Sequence, residues 1–164
     1  MISFKKIRYK NFLSTGNIPI EVELDKSHTT LIVGSNGSGK STLLDALCYA
    51  LFNKPFRIIK KDQMVNTINN GDTIVEVEFD VGTKKYMIRR GIRPNLFEIY
   101  ENDKLINQDA SSIDYQKYLE QNIMKLNYRS FIQVVILGSS SYEPFMKMKP
   151  RYRREVVEEI LDIR

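Results

Sequence analysis

Gly34-Ser35-Asn36-Gly37-Ser38-Gly39-Lys40-Ser41 is the stretch that decides the fold. It fits the pattern G-x-x-x-x-G-K-[ST] at all eight positions. Before it stands the short β-rich run Thr29-Thr30-Leu31-Ile32-Val33, which reads as a buried strand. After it, Leu43, Leu44, Leu47, Leu51 and Phe52 recur at helical spacing, which predicts a helix from Lys40. Strand, glycine loop and helix in this order form a phosphate cradle. Gly34, Gly37 and Gly39 let the backbone turn tightly and bring its N–H groups to phosphate oxygens. The helix adds unpaired N–H donors and the positive end of its dipole. Lys40 is placed to reach the β- and γ-phosphates, Ser41 to ligate Mg²⁺, and Thr42 to bond the α-phosphate. The expected ligand is ATP with Mg²⁺, held by residues 34 to 42. A glycine-rich turn without a ligand is the competing reading, and the strand–loop–helix setting weighs against it.

The bulk numbers bound what surrounds the loop. A chain of 164 residues suits one compact domain. Cys48 is the single cysteine and His28 the single histidine, which leaves no internal disulfide and almost no ligands for zinc. No apolar run approaches the roughly 20 residues of a membrane span, and the start lacks the apolar block of a secretory signal. A cytoplasmic protein is therefore expected. The net charge of +5 is compatible with a polyanionic partner without demanding one.

Outward from the loop, Phe4, Ile7, Tyr9 and Phe12 among Lys5, Lys6, Arg8 and Lys10 suggest a first strand with a basic face. Ile18 to Leu24 alternates apolar and acidic residues, as a half-buried strand does. Asn53-Lys54-Pro55 stops the helix after the loop. Runs at 74–79, 85–89 and 96–100, with turn chemistry at Gly82 and Pro94-Asn95, predict an antiparallel meander. Ser111 or Ser112 caps a helix carrying Tyr115, Leu119, Ile123 and Leu126. Phe131 to Leu137 reads as an apolar strand ended by Gly138-Ser139-Ser140-Ser141, and a last helix starts near Pro150. Leu13-Ser14-Thr15-Gly16-Asn17, which superficially looks like an ABC signature loop, reads as a turn because a strand with Pro19 follows it.

No run of four apolar residues followed by Asp-Glu occurs in the sequence, so the water-polarising acid of an ATPase is missing. The chain alone is expected to bind nucleotide and hydrolyse it poorly or not at all.

Several stretches together resemble the N-terminal lobe of an SMC-like ABC ATPase. They are Ile7 to Ser14, the phosphate loop, Ile68-Asn69-Asn70-Gly71 before Val75 to Phe79, and Pro150 to Leu161. Within that group the chain is most similar to the ATPase subunit of the DNA double-strand-break-processing nuclease complex in its tailed-phage form. Lys54-Pro55-Phe56-Arg57, Val134 to Gly138 and Pro144-Phe145-Met146 carry that finer likeness. The implied fold class is α/β, a P-loop NTPase of ABC/SMC type. Its N-terminal lobe has a mixed sheet and a β meander, and ends in a helix leading to a coiled coil. The implied boundaries are a nucleotide-binding lobe over 1–149 and the root of that helix over 150–164. The implied partners are a C-terminal lobe of the same protein, a second head in an ATP-bound homodimer, a nuclease subunit and double-stranded DNA. No membrane partner is implied, and the location would be the cytoplasm of an infected bacterium. The family has a Gln after its apolar strand as a Mg²⁺ and water contact; here that position falls on Ser139, with Gln133 at the strand's beginning. A basic residue near the first turn also touches phosphate in the family; Leu13 stands there, with Arg8 or Lys10 as substitutes.

Lys54, Arg57, Lys60 and Lys61 form one basic cluster. Lys84, Lys85, Arg89, Arg90 and Arg93 form another. Contact with DNA phosphates and plain solvated surface remain alternatives for both. Arg89 and Arg90 point to opposite faces of a strand, so at most one serves a given surface. Arg151, Arg153 and Arg154 could grip DNA or the nuclease, or simply pair with Glu155, Glu158 and Glu159 along a helix. Two other functions stay open at this level: a stand-alone nucleotide-binding regulatory domain, and the head of an ABC transporter.

Overall fold

The computed structural model describes residues 2–106, 111–136 and 144–161. The chain divides into two compact units, Met1–Asp109 and Ala110–Arg164.

The first unit is a sheet with one helix on its apolar face. Its strands are β1 (Ile2–Lys10), β2 (Ile20–Glu23), β3 (Thr73–Val81), β4 (Lys84–Ile92), β5 (Leu96–Glu101) and β6 (Lys104–Leu105). Their order is β2-β1-β3-β4-β5-β6, and every pairing among them is antiparallel. Period-two alternation puts Ile7, Tyr9, Val75, Val77, Phe79, Tyr86, Ile88 and Ile99 on one buried face. That face is closed by α1 (Lys40–Phe52), whose residues 45 to 52 are all buried. Tyr49 ties helix to sheet: its ring stacks on Phe12, and its hydroxyl donates to the Gly91 carbonyl at 3.3 Å. Gly91 leaves room for this approach: a Cβ would lie 3.1 Å from the Thr73 carbonyl oxygen and from the Leu96 Cβ, so a larger residue would have to push those neighbours back. Helix α1 ends where expected, but Asn53 ends it rather than Pro55. Asn53 adopts the left-handed conformation at φ 57° and its N–H donates to the Tyr49 carbonyl.

The opposite face of the sheet is a checkerboard of charge. The register aligns Glu21, Arg8, Glu76, Arg89 and Glu98 in one row across the strands. Arg8 lies 3.9 Å from Glu76, and Arg89 lies 3.1 Å from Glu76 and 3.8 Å from Glu98. Lys6 pairs with Glu21, and Lys5 with Asp25 and Asp80.

Two expected strands are not formed. Thr29–Val33 joins no ladder, and Leu31 and Val33 are 83% and 77% exposed. A strand exists only when a neighbour takes its N–H and C=O groups, and no described strand lies alongside this run. The second correction falls in the second unit, at Phe131–Leu137. There Asn127 opens a helix, α3 (Tyr128–Val134), by accepting a hydrogen bond from the Ser130 N–H at 3.0 Å. A short apolar run carries no period that separates strand from buried helix, and the cap in front of it decides. Leu137 itself lies outside the described residues.

The rest of the second unit follows the sequence more closely. Ser111 caps α2 (Ser112–Tyr118), which continues into a π-helical turn over Leu119–Met124 closed by Lys125 in the left-handed conformation. Tyr115, Leu119, Ile123, Met124 and Phe131 are buried. Pro150 occupies the first turn of α4 (Pro150–Ile160). Asn127 docks this helix: its side-chain amide donates to Glu155 at 2.7 Å and Glu159 at 2.8 Å, and its N–H donates to Glu159 at 3.1 Å.

Cys48 is fully buried on α1, and burial pushes its thiol up to about 12. At pH 8 the thiolate would then be about one part in 10⁴, and only the thiolate reacts. Folded protein should resist a thiol reagent such as DTNB for hours and react at once in guanidinium. Rapid labelling of the native protein would contradict this packing.

Candidate phosphate-binding site

The loop predicted from sequence sits at the start of α1 with the backbone that the pattern requires. Gly37 and Gly39 have φ of 83° and 90°, where an L side chain is strained. At Gly34 a Cβ would come within 2.4 Å of Ser38 Oγ and 3.2 Å of its Cβ, so any side chain there would force the Ser38 hydroxyl to turn away. The turn closes through Ser38 N–H to Ser35 O at 3.2 Å and Thr42 N–H to Gly39 O at 3.0 Å. Gly39 is the N-cap of α1 and offers no side-chain cap, so the first turn of the helix keeps donors for an external acceptor.

Lys40 bends back over the loop. Its Nζ donates to the carbonyls of Gly34 at 2.6 Å and Ser35 at 2.7 Å. The cation is thereby held across the mouth of the cradle rather than directed into solvent. Ser35, Asn36, Ser38 and Ser41 are exposed, and Thr42 is buried. The donor set fits a triphosphate with a hard divalent cation: backbone N–H groups and an ammonium for phosphate oxygens, and the Ser41 hydroxyl for Mg²⁺.

Two polar tethers were not read from the sequence. The first is Asp45, one turn into α1 and 0% exposed. Its carboxylate accepts the Arg57 backbone N–H at 2.9 Å and Nε at 2.7 Å, and pairs with the Arg57 terminal nitrogen at 2.5 Å. The segment after α1 is thus tied to the phosphate-loop helix. A lone acid in the otherwise apolar run Leu43-Leu44-Asp45-Ala46-Leu47 was the available signal. The second is an asparagine knot. Asn11 donates to Asn17 and to the Asp72 carbonyl and accepts from Asn69. Asn66 donates to the carbonyls of Leu13 and Thr15 and accepts from the N–H groups of Ile68 and Asn69. This knot clasps residues 13–17 as a turn, as read from the sequence, with Leu13 at φ 54°.

The basic candidates separate by environment. Arg90 is withdrawn from solvent: it is 5% exposed, its Nε donates to the Ala50 carbonyl at 2.9 Å, and its guanidinium lies 3.7 Å over the Phe97 ring. That burial excludes it as a surface contact for DNA. Arg89 lies on the opposite face between Glu76 and Glu98, as the alternation required. Arg57 is spent on Asp45, and Arg93 pairs with Asp62 and bonds Asn70. Lys61 bonds Asn95, and Lys84 pairs with Glu101. Lys10, a substitute considered for the phosphate contact, pairs with Asp72. Lys54 and Lys60 are exposed beside the same segment. Ser139, the expected Mg²⁺ and water contact, lies outside the described residues. Gln133 lies on α3, not on a strand.

Comparison with known proteins places this geometry. The AAA domain family matches residues 6–164. Exonuclease subunit 2 of Escherichia phage RB69 and that of Enterobacteria phage T4 are each 44% identical over 165 residues, covering 99% of this chain and 29% of theirs. The DNA double-strand break repair Rad50 ATPase of Thermoplasma volcanium is 30% identical over 166 residues, 97% of this chain and 18% of its own. The chain therefore spans less than a third of the length of these curated relatives. Among solved structures, the Smc head domain of Pyrococcus furiosus, with an extended coiled coil and bound to the C-terminal domain of ScpA, superposes with a TM-score of 0.67. It is 21% identical, with 98% of this chain and 42% of that one covered. A structure from work on ATP-driven dimerization and DNA stimulated activation of SMC ATPases gives a TM-score of 0.63 at 22% identity, covering 96% and 99%. The fold is the N-terminal lobe of an SMC-type ATPase head.

Proposed function

Because this chain belongs to the AAA domain family, in its Rad50- and SMC-like branch, and is a homologue of phage exonuclease subunits, we propose that it is the ATP-binding lobe of a DNA repair or recombination ATPase. The observation that carries the reading is the glycine loop at the uncapped start of α1 with Lys40 held across its mouth. In this reading the loop N–H groups bind the phosphates, Lys40 exchanges its two carbonyl partners for phosphate oxygens, and Ser41 holds Mg²⁺. Mg²⁺ supplies charge neutralisation at the β- and γ-phosphates when bound. Thr42 bonds the α-phosphate. Asp45 and Arg57 keep the helix and the segment after it in register with the loop.

Turnover is assigned to a larger assembly. A C-terminal lobe of the same protein supplies the acidic strand end that this sequence lacks, and its strands cover Leu31, Ile32 and Val33. Residues 1–149 form the nucleotide-binding lobe, and α4 from Pro150 leads into a coiled coil. Two heads pair on ATP and control the access of double-stranded DNA to a nuclease subunit. No helix among the described residues is long and apolar enough to cross a membrane. The place of action is the host cytoplasm during phage infection.

The test is ATP hydrolysis by the full-length protein with its nuclease partner, with and without linear duplex DNA. Stimulation by DNA is expected, and Lys40→Ala should abolish it. Normal nucleotide binding with hydrolysis indifferent to DNA would leave a nucleotide-binding regulatory protein instead.

A further inference from the structure

The chain contains two Asn-Gly dipeptides, Asn36-Gly37 in the glycine loop and Asn70-Gly71 before β3. Asparagine is a chemically labile residue, because the backbone nitrogen that follows it can attack its side-chain amide carbon. Glycine after it, having no Cβ, leaves that approach unobstructed. Composition gives the two sites equal standing. The structure separates them.

Asn70-Gly71 is tied down on every side. The Asn70 N–H donates to the Asn66 carbonyl at 2.8 Å, and its side-chain oxygen accepts from Arg93. The Asp72 N–H donates to the Arg93 carbonyl at 2.7 Å, and a Cβ on Gly71 would lie 3.2 Å from that same carbonyl oxygen. Swinging the Asn70 amide onto the Gly71 nitrogen means releasing Arg93 first.

Asn36-Gly37 has none of these ties. Both residues are exposed, and a Cβ on Gly37 would meet no atom within 4 Å. The turn is closed outside the pair, by the Ser38 N–H donating to the Ser35 carbonyl at 3.2 Å. Among the described residues, neither the Asn36 side chain nor the Gly37 N–H has a hydrogen-bond partner. Electrophile and nucleophile are both free to turn. The open amides that suit a phosphate also leave the loop open to its own chemistry.

We propose that Asn36 is a site of spontaneous deamidation, shielded when nucleotide fills the loop. A solvent base takes the Gly37 amide proton, the nitrogen bonds to Asn36 Cγ, and the side-chain nitrogen leaves as ammonia with a proton from water. The succinimide ring then opens by adding one water at either of its carbonyls, giving aspartate or isoaspartate at position 36. Aspartate sets a carboxylate against the phosphates, and isoaspartate also lengthens the backbone by a methylene and throws the loop N–H groups out of register. The shielding half rests on the phosphate reading above, in which those N–H groups are engaged by the ligand.

The experiment ages the full-length protein, free of nucleotide, in mildly alkaline buffer and follows its tryptic peptides by mass spectrometry. Peptide 27–40 carries Asn36 and peptide 62–84 carries Asn70. Position 36 should convert to a mixture that an isoaspartate methyltransferase labels. Position 70 should convert about tenfold more slowly or less, because its amide must first leave a charged donor. Peptides aged after digestion should convert at similar rates, which makes the difference a property of the fold. An intact amide at 36, or equal rates at 36 and 70 in the folded protein, overturns the assignment. A nonhydrolysable ATP analogue with Mg²⁺, at about 100 times its Kd, should slow position 36 by about 100-fold and leave position 70 unchanged. An analogue that binds by calorimetry without slowing position 36 overturns the shielding. An analogue that does not bind, while position 36 still outpaces position 70, overturns the phosphate reading and the shielding together and leaves the modification site standing. Asn36→Asp, which installs one product directly, should weaken analogue binding by about tenfold or more by setting like charges together. Wild-type affinity in that variant would overturn the silencing of the loop by aspartate.

Discussion

Lys40→Ala should lower affinity for ATP with Mg²⁺ by roughly 100-fold, about 2.7 kcal/mol, without altering the melting temperature by more than about 1 °C. The two halves of this expectation have separate causes. In the nucleotide-bound loop, the ammonium would face charged phosphate oxygens, and hydrogen bonds to charged groups are worth about 1.5–3 kcal/mol each. In the free protein the same ammonium bonds only the carbonyls of Gly34 and Ser35, on an exposed loop where water can replace it. Removing it therefore leaves no buried group without a partner, and α1 keeps its packing. Isothermal calorimetry and thermal melting on the same sample separate the two. Unchanged affinity would remove the phosphate-loop assignment, and a collapsed melting curve would mean that Lys40 stabilises the fold rather than binding ligand.

Arg57→Ala should do the reverse, destabilising the first unit by about 3 kcal/mol, or about 10 °C for a chain of this size. Asp45 is 0% exposed, so loss of the guanidinium leaves a carboxylate in the interior with only the residue 57 N–H as donor. Nearly half of the Arg57 side chain is exposed, which places the figure at the low end for a broken buried pair. Asp45→Asn should cost less, because the amide oxygen can still accept that N–H and no charge is left unpaired. A melting point within about 2 °C of wild type for Arg57→Ala would show that the interior tolerates the lone acid.

What the sequence made legible follows from periodicity and from local chemistry. The meander, the glycine turn before α1, α1 and its end near Asn53, and the cap at Ser111 all declare themselves within a few residues. The two failures are of another kind. Leu31-Ile32-Val33 has strand composition, but strand formation depends on a neighbour that local composition does not specify. Phe131 to Leu137 is apolar without a period, and the side chain that makes it helical, Asn127, lies before the run. The same limit hid Arg57, which looked like a surface cation until its partner twelve residues earlier on α1 was in view. Arg90 was ambiguous for a simpler reason. Alternation says that neighbours on a strand face opposite ways, and only the packing of α1 says which way is inward.

The position of β1 between β2 and β3 has a consequence for synthesis on the ribosome. Its long ladder is made with residues 64 to 79 positions further along the chain, from Lys10 against Ile74 to Ile2 against Val81. At translation speeds of about 5–20 residues per second, those partners emerge on the order of 3 to 16 s after β1 itself. Through that interval the first strand offers open N–H and C=O groups to any other nascent chain. The cations Lys5, Lys6, Arg8 and Lys10, which later sit in the charge rows, repel a second copy of the same strand and discourage premature pairing.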